Sequence, residues 1–275
     1  MKIAITGGSG AVGRAVVATA LAQGHSAVNI DRTPPKEPQP GVPFLQVDTS
    51  DFADLKAAMA GCEALIHLAA IPSPGGRPDH VVHNSNVVGS YNALQGAVEL
   101  GIWRVCQASS VNAIGHAFSR EPRYDYFPID EDHPTYCEDP YSLSKWICEQ
   151  QAAALCRRHP DLRVASLRFH WVVRDAAIPR RQAADPTMPE RKKLLWAWVH
   201  IEAVARACLL GVTAEFSGHH ALFIAAPTTA SERPSLELAH EIYPEVPVRG
   251  DLSGRRSFFD CSRAERVLGW RHDPV

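Results

Sequence analysis

The chain has no long apolar run, no surplus of either charge and no cysteine pattern. Nowhere in its 275 residues do apolar side chains continue for the ~20 positions that a bilayer-crossing helix needs. Lys and Arg number 28 against 30 Asp and Glu, a formal net charge of −2, so no basic excess exists to hold nucleic acid. Cysteines stand at 62, 106, 137, 148, 156, 208 and 261, an odd set without CxxC spacing. Cys148 and Cys156 fall on apolar positions, which fits reduced, buried thiols in a cytoplasmic protein rather than a disulfide framework. His80 and His83 are one helical turn apart, but no carboxylate or cysteine completes a ligand set, so no metal site is expected. No internal period repeats. The first strand begins at once, so no signal peptide is expected. What remains is an ordinary globular composition, 45% hydrophobic and 21% charged, long enough for a large core.

Against that plain background the N-terminal stretch is informative. Ile3 to Thr6 is a short apolar run that suits a buried parallel strand, and Gly7-Gly8-Ser9-Gly10-Ala11-Val12-Gly13 follows it. Ala15, Val16, Val17, Ala20 and Leu21 then continue at helical spacing to Gly24. A strand, a glycine turn and a helix make a phosphate cradle. Gly7 allows the tight turn, Gly10 lets backbone approach a pyrophosphate, and Gly13 lets the helix pack closely with its free N–H groups facing the anion. The next strand, Ser26 to Ile30, closes on Asp31, whose carboxylate suits the ribose hydroxyls of NAD and repels a 2′-phosphate. Arg32 beside it is the residue that would favour NADP, or else a solvated loop side chain. We favour NAD, with NADP the lesser alternative.

The rest of the chain alternates strand and helix. After a loop with five prolines between Thr33 and Pro43, Phe44 to Val47 reads as a strand and Phe52 to Met59 as a helix capped by Ser50 or Asp51. Asp48 and Thr49 lie at the strand end, where Asp48 can meet an adenine amino group. Ala64 to Ala70 is a buried strand whose end, Leu68-Ala69-Ala70, leaves room for a cofactor against the backbone. His67 within it reads as a satisfied core histidine. A helix over His80–Leu100 and a strand over Arg104–Ala108 lead to Ser109-Ser110 at the ligand-binding edge of a parallel sheet. Val111 to Pro140 reads as loop, with Asp130, Glu131 and Asp132 solvated. Tyr141 to His159 is a strong helix and Val164 to Phe169 a sixth strand. This order predicts an α/β fold, a doubly wound parallel sheet of Rossmann type over residues 1–170. Residues 171–275 should form a small substrate-binding part intermingled with that core and lacking a core of its own. The basic stretch Arg174 to Lys193 is either a lid or a charged surface loop, and Trp196 and Trp198 are either pocket walls or core at alternate strand positions.

Tyr141-Ser142-Leu143-Ser144-Lys145 carries the chemistry. Positions i and i+4 share a helix face, so the Lys145 ammonium should lie near the Tyr141 phenol and favour its phenolate. Ser110 can hydrogen-bond the reacting oxygen while Tyr141 exchanges a proton with it.

These segments together resemble the extended short-chain dehydrogenase/reductases, within them the NAD-dependent epimerase/dehydratase family. They are TGGSGAVG (Thr6 to Gly13), Asp31, the HLAA strand end, NVVGSYN (Asn86 to Asn92), SSVNAIG (Ser109 to Gly115), YSLSK, WVHIEAVARACLLG (Trp198 to Gly211) and the terminal LGW (Leu268 to Trp270). The resemblance implies a catalytic set of Ser110, Tyr141 and Lys145. It implies cofactor contacts from Gly7, Ser9, Gly10, Ala11, Val12, Gly13, Asp31, Arg32, Asp48, Thr49, Leu68, Ala69, Ala70, Asn86, Tyr141 and Lys145, with a structural role in its helix as the alternative for Asn86. Substrate contacts are expected from Ser110, Val111, Asn112, His170 and Trp171. Many nucleotide-sugar epimerases follow the sixth strand with Arg, an aromatic pair and a sugar-nucleotide-binding Asn. Here the run is Arg168-Phe169-His170-Trp171, and Trp171 stands where that Asn would be. A free small molecule is therefore expected instead, either a polar one, as in uronate dehydrogenase-like relatives, or a flatter, more apolar metabolite. The implied activity is an NAD-dependent oxidoreductase acting on a small alcohol or carbonyl compound. The alternatives are an epimerase or dehydratase that recycles its NAD, a redox-neutral isomerase or cyclase, and a cofactor-binding protein without turnover. The resemblance also suggests a homodimer formed through the helices beginning near His80 and Tyr141.

Overall fold

A computed structural model describes residues 1–184 and 189–272. The chain runs β1 (Lys2–Thr6), α1 (Ala11–Ala22), β2 (Ser26–Asp31), β3 (Phe44–Gln46), α2 (Phe52–Met59), β4 (Ala64–His67), α3 (Asp79–Glu99) and β5 (Arg104–Ser110). It continues through α4 (Pro140–Arg158), β6 (Arg163–Phe169), β7 (Val172–Val173), α5 (Ala177–Ala183), β8 (Val199–His200) and α6 (Ile201–Thr213). It ends with β9 (Gly218–Ile224), α7 (Ser235–Ile242) and α8 (Ser262–Leu268). Seven strands form one sheet in the order β3-β2-β1-β4-β5-β6-β9, and every adjacent pair is parallel.

The strand order reverses between β1 and β4. Loops leaving the C-terminal ends of these two strands part in opposite directions and open a crevice there, the place where such sheets bind ligands. Alternation along the buried strands sends side chains to two helical layers. Ile3, Ile5, Ile66, Cys106, Ala165 and Leu222 meet Val16 and Val17 of α1 and Val204 and Cys208 of α6. Ala4, Val28, Leu65, Val105 and Val164 meet Leu55 of α2, Leu94 of α3 and Leu155 of α4. Burying such side chains on both faces of the sheet is the main source of stability.

Three features depart from the sequence reading. The strand expected to reach Ala70 ends at His67, because Leu68 and Ala69 turn their N–H groups to the Thr6 hydroxyl. No strand carries Trp196 and Trp198: Leu195 and Trp196 hold φ values of 49° and 50° in a tight turn. Both indoles are core, Trp196 against Phe258 and Trp198 against His272. Finally, a hydrophobic cluster not expected from the sequence joins Tyr124, Phe127 and Ile129 to Trp196, Leu238, Val246 and Phe258 and to Phe223 of β9, so it continues the core of the sheet. Its members come from stretches more than a hundred residues apart, so no local periodicity reveals it. Glu131, expected in solvent, is 2% exposed beneath this cluster; it accepts from the Phe223 N–H and pairs with Arg263.

No helix among the described residues is long and apolar enough to cross a membrane.

Candidate active site

The glycine turn has the geometry of a phosphate cradle. Gly7 holds φ +69°, and a Cβ there would lie 2.7 Å from the Ala69 backbone nitrogen. A Cβ on Gly13 would collide with the Gly7 carbonyl oxygen and come within 2.6 Å of Gly8 Cα. The cradle therefore exists only without side chains at these points. Helix α1 begins after Gly10 with no side-chain cap, so its first N–H groups remain for a ligand.

A cavity of about 370 Å³ runs along this turn. Gly7, Gly10, Ala11, Val12 and Gly13 line one wall, and Asp31, Arg32, Asp48 and Thr49 line the far end. Leu68, Ala69 and Ala70 form the floor. Val47, Pro72 and Ser85, not singled out from the sequence, complete it. The Asp31 carboxylate is fixed by the N–H groups of Ser9 at 3.1 Å and Thr33 at 3.2 Å. Arg32 turns to Asp48, with Nη1 3.7 Å from its carboxylate in a half-exposed pair. Hydrogen bonds from Ser50, aided by Arg32, hold the Asp48 carboxyl below the usual range. Four of the expected cofactor residues do not line this cavity: Tyr141 and Lys145 line a neighbouring one, and Ser9 and Asn86 line neither. Ser9 acts through its backbone on Asp31, and its hydroxyl accepts from Asn29. Asn86 is buried and spends its amide on both backbone groups of Ile71 and on the Ser144 hydroxyl. It ties the loop after β4 to α4 and so shapes the floor from behind.

Val12, Leu68, Ala70 and Pro72 also line a second cavity of about 540 Å³, so the two form one cleft across the sheet edge. The second cavity gathers Ser110, Val111, Asn112, Tyr141, Lys145, His170 and Trp171. Each arrives by a local device. Asp139 caps α4, its carboxylate accepting from the Tyr141 and Ser142 N–H groups at 3.0 and 2.9 Å, with Pro140 at the first helical position. That fixes Tyr141 in the first turn, with Lys145 one turn on. Ser110 ends β5, and its hydroxyl oxygen accepts from the Asn112 N–H at 3.1 Å to start a short 3₁₀ turn over Val111–Ile114. Gly115 closes that turn at φ +80°, where a side chain would strike the Tyr136 backbone. Phe118, Phe169, Val172 and Leu194 add apolar walls. Phe118 also packs edge-on against the Tyr141 ring at 5.6 Å.

The electrostatics differ from the sequence expectation. Lys145 donates to the Ala108 carbonyl at 2.7 Å and lies 5.7 Å from the Tyr141 ring centroid. Burial pushes the Tyr141 phenol up to about 12, with the Ser110 hydroxyl pulling it back only in part. Burial likewise lowers the Lys145 ammonium. Desolvation dominates for both enclosed groups, and in this state the Tyr141 phenol is protonated.

Behind the site lies a network that sequence reasoning passed over. Glu149, one turn beyond Lys145, accepts from the Ser109 hydroxyl at 2.5 Å and from Arg168 Nε and Nη2 at 2.9 and 2.8 Å. The two charged side chains are 2% and 6% exposed. They staple α4 to the ends of β5 and β6. The available signal was the four-residue spacing of Tyr141, Lys145 and Glu149 along one helix face. His67 sits below, sharing a 2.8 Å hydrogen bond with the Thr6 hydroxyl, a core histidine that burial lowers to about 3. Of the stretch Arg174 to Lys193, α5 and a 3₁₀ segment over Pro189–Leu194 are seen, while residues 185–188 lie outside the described residues. Lys193 donates to the Ser119 and Arg120 carbonyls, which anchors that end of the segment beside the cavity.

Dehydrogenases are similar over much of the chain. The dTDP-6-deoxy-L-talose 4-dehydrogenase (NAD(+)) of Aggregatibacter actinomycetemcomitans is 29% identical over 180 residues, 64% of this chain and 63% of that protein. The L-arabinose 1-dehydrogenase (NAD(P)(+)) of Haloferax volcanii is 27% identical over 201 residues, 71% of this chain and 76% of that one. A 130-residue stretch, 47% of this chain, is 36% identical to an uncharacterized protein of Mycobacterium tuberculosis but spans only 14% of that longer protein. Among solved structures, uronate dehydrogenase from Agrobacterium tumefaciens aligns with 99% of this chain and 84% of its own. The identity is 20% and the TM-score 0.73, a likeness of fold. MoeE5 in complex with UDP-glucose and NAD aligns with 100% and 94%, at 22% identity and a TM-score of 0.74. The family model for the NAD dependent epimerase/dehydratase family matches residues 3–223, most of the chain and all seven strands of the sheet except Lys2 of β1 and Ile224 of β9. The chain belongs to the NAD-dependent epimerase/dehydratase family.

Proposed function

We propose that the protein is an NAD-dependent oxidoreductase that interconverts a small secondary alcohol and its carbonyl compound. The observation carrying this reading is the convergence of Ser110, Tyr141 and Lys145 on one cavity continuous with the glycine cradle. Gly7, Gly10 and Gly13 with the free N–H groups of α1 would hold the pyrophosphate of NAD, Asp31 its adenosine ribose, and Lys145 its nicotinamide ribose. Bound nicotinamide supplies the hydride exchange. Tyr141 moves the proton: its protonated phenol donates to a carbonyl oxygen in reduction, and it recovers a proton from the alcohol in oxidation. Ser110 hydrogen-bonds the same oxygen and holds it against Tyr141 Oη. Leu68, Phe118 and Leu194 keep water from the reacting carbon.

NAD is favoured over NADP because Asp31 faces the cleft with its carboxylate locked by two backbone N–H groups, while Arg32 is drawn to Asp48. Calorimetric titration should give NAD at least about tenfold tighter binding than NADP, with the preference narrowed in Asp31→Ser. The relatives include epimerases, which return their NAD to its starting state. Following absorbance at 340 nm during multiple turnovers separates the two. Net NADH accumulation supports a dehydrogenase, whereas substrate conversion without it, in protein that co-purifies with NAD, rejects the proposal.

A further inference from the structure

The cleft's second cavity is poor in charge. Among its described lining residues Lys145 is the one ionisable side chain besides Tyr141 and His170; its ammonium donates to the Ala108 carbonyl and, in the reading above, to the nicotinamide ribose. Among the residues whose side chains are described, Arg168 pairs with Glu149, Lys193 holds the Ser119 and Arg120 carbonyls, and Arg174 reaches back to the Ala11 carbonyl. A carboxylate or pyrophosphate in this cavity would lose its water and meet the neutral donors Ser110, Asn112 and Tyr141 and a single ammonium shared with the Ala108 carbonyl, which compensates a full charge poorly. The walls instead offer the aromatic rings of Phe118, Phe169 and Trp171 and the side chain of Leu194.

One polar group stands among them. His170 is 3% exposed and lines the cavity. Its Nδ1 accepts from the Trp171 N–H at 2.7 Å, which assigns the ring proton to Nε2. Nε2 is buried near the Leu194 carbonyl, yet outside hydrogen-bond geometry. On the far side the ring packs against His116 and Phe259, at 5.5 and 5.3 Å between centroids, so it cannot swing away without disturbing that stack. A buried N–H donor without a partner is costly, and a ligand acceptor would relieve it.

We infer that the substrate is an uncharged molecule with an apolar or aromatic body, held by Phe118, Trp171 and Leu194 and carrying a hydrogen-bond acceptor that meets the His170 Nε2–H. This rests on the oxidoreductase reading above and narrows it away from uronates and nucleotide sugars. Trp171 takes the wall position and His170 is the specificity-determining residue.

Calorimetry on the NAD-loaded protein tests this with matched ketones. Acetophenone should bind at least about tenfold more tightly than 4-acetylbenzoate, glucuronate or UDP-glucose, since the anions meet only neutral donors and a shared ammonium. Within a set of ring-methoxylated acetophenones, at least one should bind about five- to tenfold more tightly than its ethyl counterpart of the same shape. His170→Phe should abolish that preference and leave NAD affinity unchanged. Equal or tighter binding of an anion, failure of every neutral probe to bind, or a methoxy preference that survives in His170→Phe would overturn the assignment. The NAD titration that precedes each run keeps the two levels apart. Loss of NAD binding removes the oxidoreductase reading, whereas NAD binding with an anion preference overturns the substrate class alone.

Discussion

Glu149→Gln keeps the shape of a side chain that holds three elements together and removes its charge. In the native chain Arg168 faces Glu149 through two hydrogen bonds of 2.9 and 2.8 Å, both side chains nearly sealed from water. The variant leaves the guanidinium buried with only the more distant Glu131 to balance it. Stranding one member of a buried pair costs about 3–5 kcal/mol, a large share of the ~5–15 kcal/mol that stabilises a domain. Arg168→Met should lose a comparable amount, because Glu149 then has only the Ser109 hydroxyl. The double variant Glu149→Leu with Arg168→Met removes both charges, and its loss should fall short of the sum of the two singles by about 2 kcal/mol or more. Urea unfolding followed by far-UV circular dichroism gives all three values. Single losses under about 1 kcal/mol, or simple additivity, would refute the view that this ion pair fastens α4 to the strand ends. Since Ser109 precedes Ser110 and Lys145 lies one turn before Glu149, the single variants should also lower kcat.

Two further predictions follow from the packing. Gly13→Ala forces a methyl group onto the backbone of Gly7 and Gly8, so it should destabilise the fold by about 1–3 kcal/mol and weaken NAD binding; unchanged affinity in a titration would contradict the cradle. His67 and His170 are buried and lowered to about 3, so between there and an unfolded value near 6.5 they are neutral when folded and protonated when unfolded. Unfolding therefore takes up protons, and stability should fall as pH drops below about 6.5, by up to about 1.4 kcal/mol per pH unit for each histidine. A urea midpoint that stays constant from pH 7 to 4.5 would show that these rings are not held neutral.

Most of the sheet was legible because its signals are local. Mainly apolar runs such as Ile3–Thr6 and Val164–Phe169 can be buried only between two layers, and Gly7, Gly10 and Gly13 are spaced by the turn itself. Asp51, one of two candidate caps, announced a helix start through a side chain that acts within three residues, whereas the Asp139-Pro140 cap of α4 went unread. The rest of what stayed hidden depends on distant partners. Glu131 reads as one of three solvated acids, yet the fold brings Arg263 and the Phe223 N–H to it. Phe118 and Leu194 come to the cavity from irregular segments without periodicity. Asn86 sits in a family-like motif, and only the fold shows that Ile71 and Ser144 occupy its amide. The Tyr141 phenol was expected to be acidified by Lys145. Composition and spacing place the ammonium one turn away but say nothing of how deeply both groups are buried, and burial decides the sign.

The central claim is that Tyr141 moves a proton at a cavity served by bound NAD. Its most direct measurement pairs NAD affinity with steady-state NADH formation in the wild-type protein and Tyr141→Phe, on the neutral alcohol that the wild type turns over fastest. The account predicts an NAD dissociation constant that is little changed and a kcat reduced by about 10²–10⁴-fold. A Tyr141→Phe protein that binds NAD and keeps wild-type turnover would contradict it.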